Sequence, residues 1–288
     1  MIKHYIPNDL EELYLFLKNM TKNSKIISGG TDLGISLNKK VIIPDALLYI
    51  GNVKESKEIS LNNNDYIEIG ASLTHTEIQN NKIIQKYFTC IVDACKDIGS
   101  VQIRNNGTIG GNIGNASPAA DLLPVLYMLN TIVTIASSKG ELIDIPIKEF
   151  ILGPGKIKLN SDEAILKFKI PVIYNYESIF LKLGFRQKLT ISRIGLCIGF
   201  SLKNQIVEKI DIVVGAISSK PVVLEKAERY LLNKNIINDF DDIQEVVSTI
   251  LSETIMTLTP ENFDRDYKIW AAKGIVFDIF TQIKNRIL

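Results

Sequence analysis

VQIRNNGTIGGNIGNASPAADLLP, residues Val101 to Pro124, is the stretch from which the fold can be read. It places Gly107, Gly110, Gly111 and Gly114 within eight residues, with amide and hydroxyl side chains between them and one carboxylate, Asp121, after Pro118. Glycine lets the backbone take positive φ and approach another molecule closely, so a Gly-Gly pair flanked by Thr108 and Asn112 can offer unhindered N–H groups to phosphate oxygens. The same composition also describes an ordinary Gly/Asn turn, and a second feature is needed to choose between them.

That feature is a second glycine pair near the N-terminus. Lys25 to Ser28 (KIIS) reads as a short strand that runs directly into Gly29, Gly30, Thr31, Asp32 and Leu33. A strand ending in a double glycine, with hydroxyl and carboxylate side chains beyond, is a dinucleotide cradle in kind but not in pattern. G-x-G-x-x-G is missing, so it is no Rossmann fingerprint, and no G-K-[ST] follows, so it is no P-loop. Alone it names no ligand.

Composition narrows the classes. The 288 residues suffice for one large or two to three small domains, and 46% hydrophobic with 23% charged residues is ordinary for a globular protein. Lys+Arg 33 against Asp+Glu 32 leaves a formal charge of +1, so no basic surplus points to nucleic acid or to an anionic membrane. Any phosphate must be held locally. The N-terminus has no apolar core or small-residue cleavage pattern, and no apolar run approaches the roughly 18 residues of a membrane span; a cytoplasmic protein is expected. Cys90, Cys95 and Cys197 form no CxxC pair, which argues against a disulfide framework and against a zinc or iron–sulfur site built from this chain alone; they are expected in the core. His4 and His75, the only histidines, have no metal or triad spacing and are expected as surface or cap residues.

Along the chain, a helix is expected from about Asp9 to Met20 and a buried strand over Ala46 to Ile50. After the turn at Asn62, Asn63, Asn64 and Asp65, Tyr66 to Gly70 alternates as a strand, and Thr74 to Glu77 has capping-box spacing. A helix follows over about Ile83 to Ile98. Beyond the opening stretch come an apolar helix, Leu122 to Leu129, a hairpin of strands Thr131 to Ala136 and Leu142 to Ile147, and a strand Ala164 to Ile170. Strands at Ser178 to Arg186, Ile194 to Leu202 and Val207 to Val214 then precede helices at Val223 to Leu232, Ile243 to Leu258 and Asp266 to Ile287. In the last of these, Ile269, Ala272, Val276, Ile279 or Phe280 and Ile283 face inward. The regular βαβ alternation of a doubly wound fold is absent. The fold class is α+β, in three parts: a small N-terminal α/β unit (1–55), a middle, mainly antiparallel α+β subdomain (56–171), and a C-terminal domain of three strands plus helices (172–288).

Taken together, SGGTDL (Ser28 to Leu33), QIRNNGTIGGNIGNASPAADLLP (Gln102 to Pro124), GPGK (Gly153 to Lys156) and KLGFRQKLTISRIG (Lys182 to Gly195) closely resemble the FAD-binding medium subunit of the molybdenum hydroxylases, the xanthine dehydrogenase and carbon monoxide dehydrogenase family. The resemblance runs along essentially the whole chain in the family's order. It implies an FAD-binding fold of the vanillyl-alcohol oxidase (PCMH) type, in which the two double-glycine segments grip the cofactor's pyrophosphate. By the same resemblance Ile26, Ile27, Ser28, Gly29, Gly30, Thr31, Asp32 and Leu33 line the cofactor, and Thr108, Ile109, Gly110, Gly111 and Asn112 contact the phosphates and ribityl chain. Asp121 would accept a hydrogen bond from a sugar hydroxyl, Leu166 would make a main-chain contact to the flavin edge, and Lys182 would lie near the isoalloxazine.

The chemistry implied is a relay. Electrons from a substrate oxidised at a molybdopterin cofactor in a large subunit pass through [2Fe–2S] clusters in a small subunit to FAD, and on to NAD⁺ or another acceptor. Three cysteines are too few for a cluster in this chain, so the partners are expected to be separate polypeptides in a dimer of heterotrimers. No catalytic base and no metal ligand stands out. Arg104 reads equally as a clamp on its own loop or a ligand contact, Arg186 and Arg193 as strand-surface charges or as the border of the flavin's acceptor side, and Tyr267 and Trp270 as core. A stand-alone reductase of the same fold, of the UDP-N-acetylenolpyruvylglucosamine reductase type, and a flavin-free scaffold subunit are the alternatives. The first finds no substrate-binding segment in Ser178 to Leu202, and the second is disfavoured by the intact glycine pairs and Asp121.

Overall fold

The computed structural model describes residues 2–62, 65–186, 190–259, 261 and 263–288. Asn63 and Asn64 of the expected turn, and Gln187, Lys188 and Leu189 of the KLGFRQKLTISRIG segment, lie outside the described residues. The chain divides into two compact units, one formed by 1–83, 98–117 and 129–172, the other by 84–97, 118–128 and 173–288.

The first unit contains three sheets, the smallest a two-stranded pairing of Ile151–Gly153 with Lys156–Ile157. A three-stranded parallel sheet has the order Lys3–Tyr5, Ala46–Tyr49, Lys25–Ile27. Helix Leu10–Leu17 covers it: Asp9 caps the helix by accepting from the Glu12 N–H, and Leu13 and Leu17 are fully buried against Leu48, Ala136 and Leu166. A five-stranded antiparallel sheet has the order Ile59–Asn62, Tyr66–Gly70, Glu163–Pro171, Ile132–Ser137, Leu142–Pro146. Its central strand, Glu163–Pro171, shifts register against Ile132–Ser137 between Ile165 and Lys167, so Leu166 has no partner residue there.

In the second unit a four-stranded antiparallel sheet has the order Glu177–Leu183, Ile194–Lys203, Ile206–Gly215, Val222–Val223, adding a two-residue edge strand to the three expected. One face carries Ile179, Leu196, Ile198, Ile212 and Val214 into a core shared with helices Phe240–Leu258 and Phe263–Ile287. Ala272, Val276, Ile279, Phe280 and Ile283 of the last helix are fully buried there, at the spacing the sequence dictates. Helices Thr89–Asp97 and Leu122–Met128 belong to this unit and pack on its sheet. Cys90, Cys95 and Cys197 are buried, as expected, and none of them is in a disulfide.

Two expectations are overturned by burial. Trp270 is 77% exposed rather than core, and Tyr267 is only partly buried, its ring 5.2 Å from that of Phe185 and 6.4 Å from that of Trp270. The helix's inward face is already filled by Ala272, Val276, Ile279, Phe280 and Ile283. His75, expected at the surface or as a cap, is 2% exposed.

Candidate functional site: a glycine-walled cavity

The opening stretch is not a loop. Ser100 caps helix Val101–Asn106 by accepting from the Ile103 N–H, and Thr108 caps helix Ile109–Asn115 by accepting from the Gly111 N–H at 3.1 Å. Three glycines in seven residues oppose helix formation. Burial of Ile109 and Ile113, both fully inaccessible, together with the Thr108 cap, overrides that preference. The helix closes on Ala116 in the left-handed region (φ 45°), and the Ala116 carbonyl accepts from the Gly155 N–H of the GPGK turn at 3.0 Å.

The two glycine segments meet inside the first unit. A Cβ on Gly29 would lie 1.8 Å from the Asn106 carbonyl oxygen and 3.1 Å from the Gly107 Cα, so only glycine permits this approach of one main chain to the other. Gly30 follows with φ +68°. The N–H groups of Gly29, Gly30 and Thr31 have no main-chain acceptor among the described residues. Those of the second segment are spent internally. Ile109 donates to Leu73 O (3.1 Å), Gly110 to Ala71 O (2.8 Å), Gly111 to Thr108 Oγ1 and Asn112 to Thr108 O (2.9 Å). Gly110 is glycine for packing, since a Cβ there would sit 2.6 Å from Ala71 O; Gly111 faces only the Thr108 hydroxyl, at 3.1 Å.

Around this junction opens a cavity of about 1060 Å³. Ile26, Ile27, Ser28, Gly29, Gly30, Thr31, Asp32 and Leu33 line one wall, and Thr108, Gly110, Gly111 and Asn112 another. The volume sits at the upper end of the range for small-molecule and cofactor sites. Asn112 Oδ1 is sealed from solvent with no hydrogen-bond partner, and the Asp32 side chain, before helix Leu33–Asn38, makes no capping bond. The walls suit a dinucleotide: N–H donors on Gly29 to Thr31 without a main-chain acceptor among the described residues, and apolar surface from Ile26, Ile27 and Ile165.

The remaining expected residues lie elsewhere. Ile109 is fully buried, holding its helix down. Leu166 is fully buried in the core beside Leu13; its carbonyl accepts from Ala71 N–H at 2.9 Å, and Ala71 O in turn accepts from Gly110, which ties the bulged strand to the second glycine pair. Asp121 and Lys182 are in the second unit and are paired. Lys182 Nζ donates to Asp121 Oδ2 at 2.8 Å and to the Asp97 carbonyl at 2.6 Å, and Ser192 bonds Asp121 Oδ1. Burial raises the Asp121 carboxyl above its usual range, against the opposing pull of Lys182. Arg104 clamps its own loop, donating to the Ile98 and Gly99 carbonyls at 3.1 and 2.9 Å. Arg193 pairs with the buried Asp264 and lies 4.3 Å from the Phe185 ring, whereas Arg186 is exposed. Sequence reasoning missed His75 as a cavity residue, although the Thr74/Glu77 capping box places it one position past the cap.

The cavity of the first unit is walled by two glycine segments, and comparison with known proteins gives the chain's family. Residues 1–173 match the family described as FAD binding domain in molybdopterin dehydrogenase. The glyceraldehyde dehydrogenase medium chain of Sulfolobus acidocaldarius is 28% identical over 244 residues, 85% of this chain and 85% of that one. The nicotinate dehydrogenase FAD-subunit of Eubacterium barkeri is 29% identical over 278 residues, 91% of this chain and 88% of that one. Among solved structures, a chain of quinoline 2-oxidoreductase from Pseudomonas putida 86 superposes with a TM-score of 0.86 at 22% identity, covering 98% of this chain and 96% of that one, a likeness of fold. The chain belongs to the FAD-binding domain family of the molybdopterin dehydrogenases, a family of oxidoreductase chains.

Proposed function

We propose that this chain is the FAD-binding subunit of a multi-subunit molybdenum hydroxylase, with FAD held in the glycine-walled cavity. The observation that carries this is the junction of Gly29 with Asn106 and Gly107, where Gly29, Gly30 and Thr31, whose N–H groups have no main-chain acceptor among the described residues, line a cavity of about 1060 Å³. Oriented N–H dipoles stabilise a diphosphate without a lysine cluster, which suits a chain of net charge +1. FAD bound there supplies the exchange of electrons between one-electron iron–sulfur donors and an acceptor such as NAD⁺.

The chain's own contribution is to bind and orient. Gly29 to Thr31 cradle the diphosphate, and Thr108 and Asn112 present side-chain polar groups to it. In this assignment residues 1–55 and 56–171 are the two FAD-binding subdomains and 172–288 the third part. The [2Fe–2S] clusters and molybdopterin reside in separate small and large subunits, in a cytoplasmic dimer of heterotrimers. Among the described residues no group of His, Cys, Asp and Glu could hold a metal ion, and no helix is long and apolar enough to cross a membrane.

The test is purification of the full chain and of the complex it forms. Absorbance near about 370 and 450 nm, typical of oxidised flavin, with FAD released on denaturation and co-purifying iron–sulfur and molybdopterin subunits, is the expected result. A chain that takes up no flavin after incubation with excess FAD would refute it.

A further inference from the structure

His75 lines the cavity, and the FAD assignment gives its side chain no role. His75 is 2% exposed, and its Nδ1 is sealed with no hydrogen-bond partner. Its position is fixed on both sides. The Thr74/Glu77 capping box sets the start of helix His75–Asn80, the His75 N–H donates to Gly107 O at 3.1 Å, and Thr74 bridges to Thr108. A Cβ on Gly107 would lie 3.4 Å from His75 Cδ2 and 3.4 Å from Thr31 Oγ1, so the imidazole and the Thr31 hydroxyl converge on the point where the two glycine segments meet. Nδ1 is sealed from the cavity as well as from solvent, so the ring edge turned toward the junction is Cδ2 with the adjoining Nε2.

We infer that His75 is a ligand-contacting residue of this cavity, its imidazole hydrogen-bonding the diphosphate enclosed by the two glycine segments. The inference rests on the FAD reading above. Burial, and then the Arg104 cation, push the imidazole down to about 4, which leaves the ring neutral at pH 7. The charged groups around it are Arg104 on helix Val101–Asn106, Glu77 on its own helix, already bonded to Thr74, and Asp32 on the opposite wall. An entering diphosphate brings negative charge to within reach of the ring and favours the imidazolium. Ligand binding then takes up a proton, and affinity falls as pH rises from about 4 through the higher value of the occupied site, by at most about tenfold per pH unit.

The test measures dissociation constants of FAD, ADP and riboflavin for the apo full chain between pH 5 and 8, with the wild type, His75→Gln and His75→Leu. Far-UV circular dichroism establishes that each variant folds. The expected result is ADP and FAD binding weakened about tenfold or more in His75→Leu, riboflavin binding unchanged, and the pH slope of the wild type absent in both variants. Wild-type binding of FAD with equal ADP affinity and equal pH slope in the variants would overturn the His75 contact alone. Uniform weakening of all three ligands at every pH would assign His75 a structural role and overturn it too. A wild type that binds neither FAD nor ADP would overturn the FAD reading itself.

Discussion

Replacing Gly29 with alanine probes the cradle at its tightest point. The added Cβ would lie 1.8 Å from the Asn106 carbonyl oxygen and 2.7 Å from its carbon, both main-chain atoms that no rotamer change can move. Bringing the first distance to even 3.0 Å separates the two segments by 1.2 Å. Overpacking of this kind costs about 1–3 kcal/mol of stability. If the same shift breaks one charge-assisted N–H to phosphate hydrogen bond, worth about 1.5–3 kcal/mol, the dissociation constant for FAD rises roughly 10- to 150-fold. Two neighbouring glycines calibrate the result. Gly30→Ala meets only the Ile27 side chain at 3.4 Å but must hold φ +68°, a strain of about 1–2 kcal/mol. Gly34→Ala meets nothing within 4 Å inside helix Leu33–Asn38 and stabilises by about 0.5–1 kcal/mol with FAD binding unchanged. Quenching of flavin fluorescence gives the dissociation constants, and urea unfolding of the apo chain gives the stabilities. Wild-type FAD affinity in Gly29→Ala would refute the reasoning, because the segments would then have separated without consequence for the ligand.

Further outcomes follow from the same geometry. Lys182→Met leaves Asp121 buried without its cation and is expected to cost about 3–5 kcal/mol at pH 7 in urea unfolding. The Asp121 carboxyl is raised by burial, so its contribution is present below its unfolded value and is lost as pH rises through the higher folded value. Removing Lys182 takes away the main opposing charge, so the variant should lose more stability than the wild type between pH 4 and pH 7. Thr108→Val removes the cap on the Gly111 N–H and should lower stability by about 1 kcal/mol, read from the same unfolding curves. Ala116→Gly relieves a left-handed helix end at φ 45° and should raise stability by about 1 kcal/mol, seen as a higher melting temperature of the apo chain.

Periodicity and capping signals carried much of the secondary structure. The Thr74/Glu77 capping box and strand Tyr66–Gly70 form where the sequence places them, and the last helix buries the residues its spacing selects. The opening stretch lines the cavity, but its helices were not legible, because glycine content masks helical propensity and only burial of Ile109 and Ile113 restores it. Segments 84–97 and 118–128 look, in sequence, like continuations of the middle region, yet they pack with the last one, since contact between distant segments leaves no local signature. Trp270 illustrates the limit of composition: a large aromatic on an amphipathic helix need not be core when Val276, Ile279 and Phe280 already fill the inward face. His75 shows the converse, a lone polar residue in no metal or triad spacing that the Thr74/Glu77 capping box carries into the cavity wall.

Amide hydrogen exchange of the full chain, with and without saturating FAD, tests the central claim most directly. Binding in the glycine-walled cavity should slow exchange at Gly29, Gly30 and Thr31, whose N–H groups have no main-chain acceptor among the described residues, with smaller changes over Thr108 to Asn112, whose N–H groups are already bonded. Stoichiometric FAD binding with protection elsewhere and none at Gly29 to Thr31 would contradict the account.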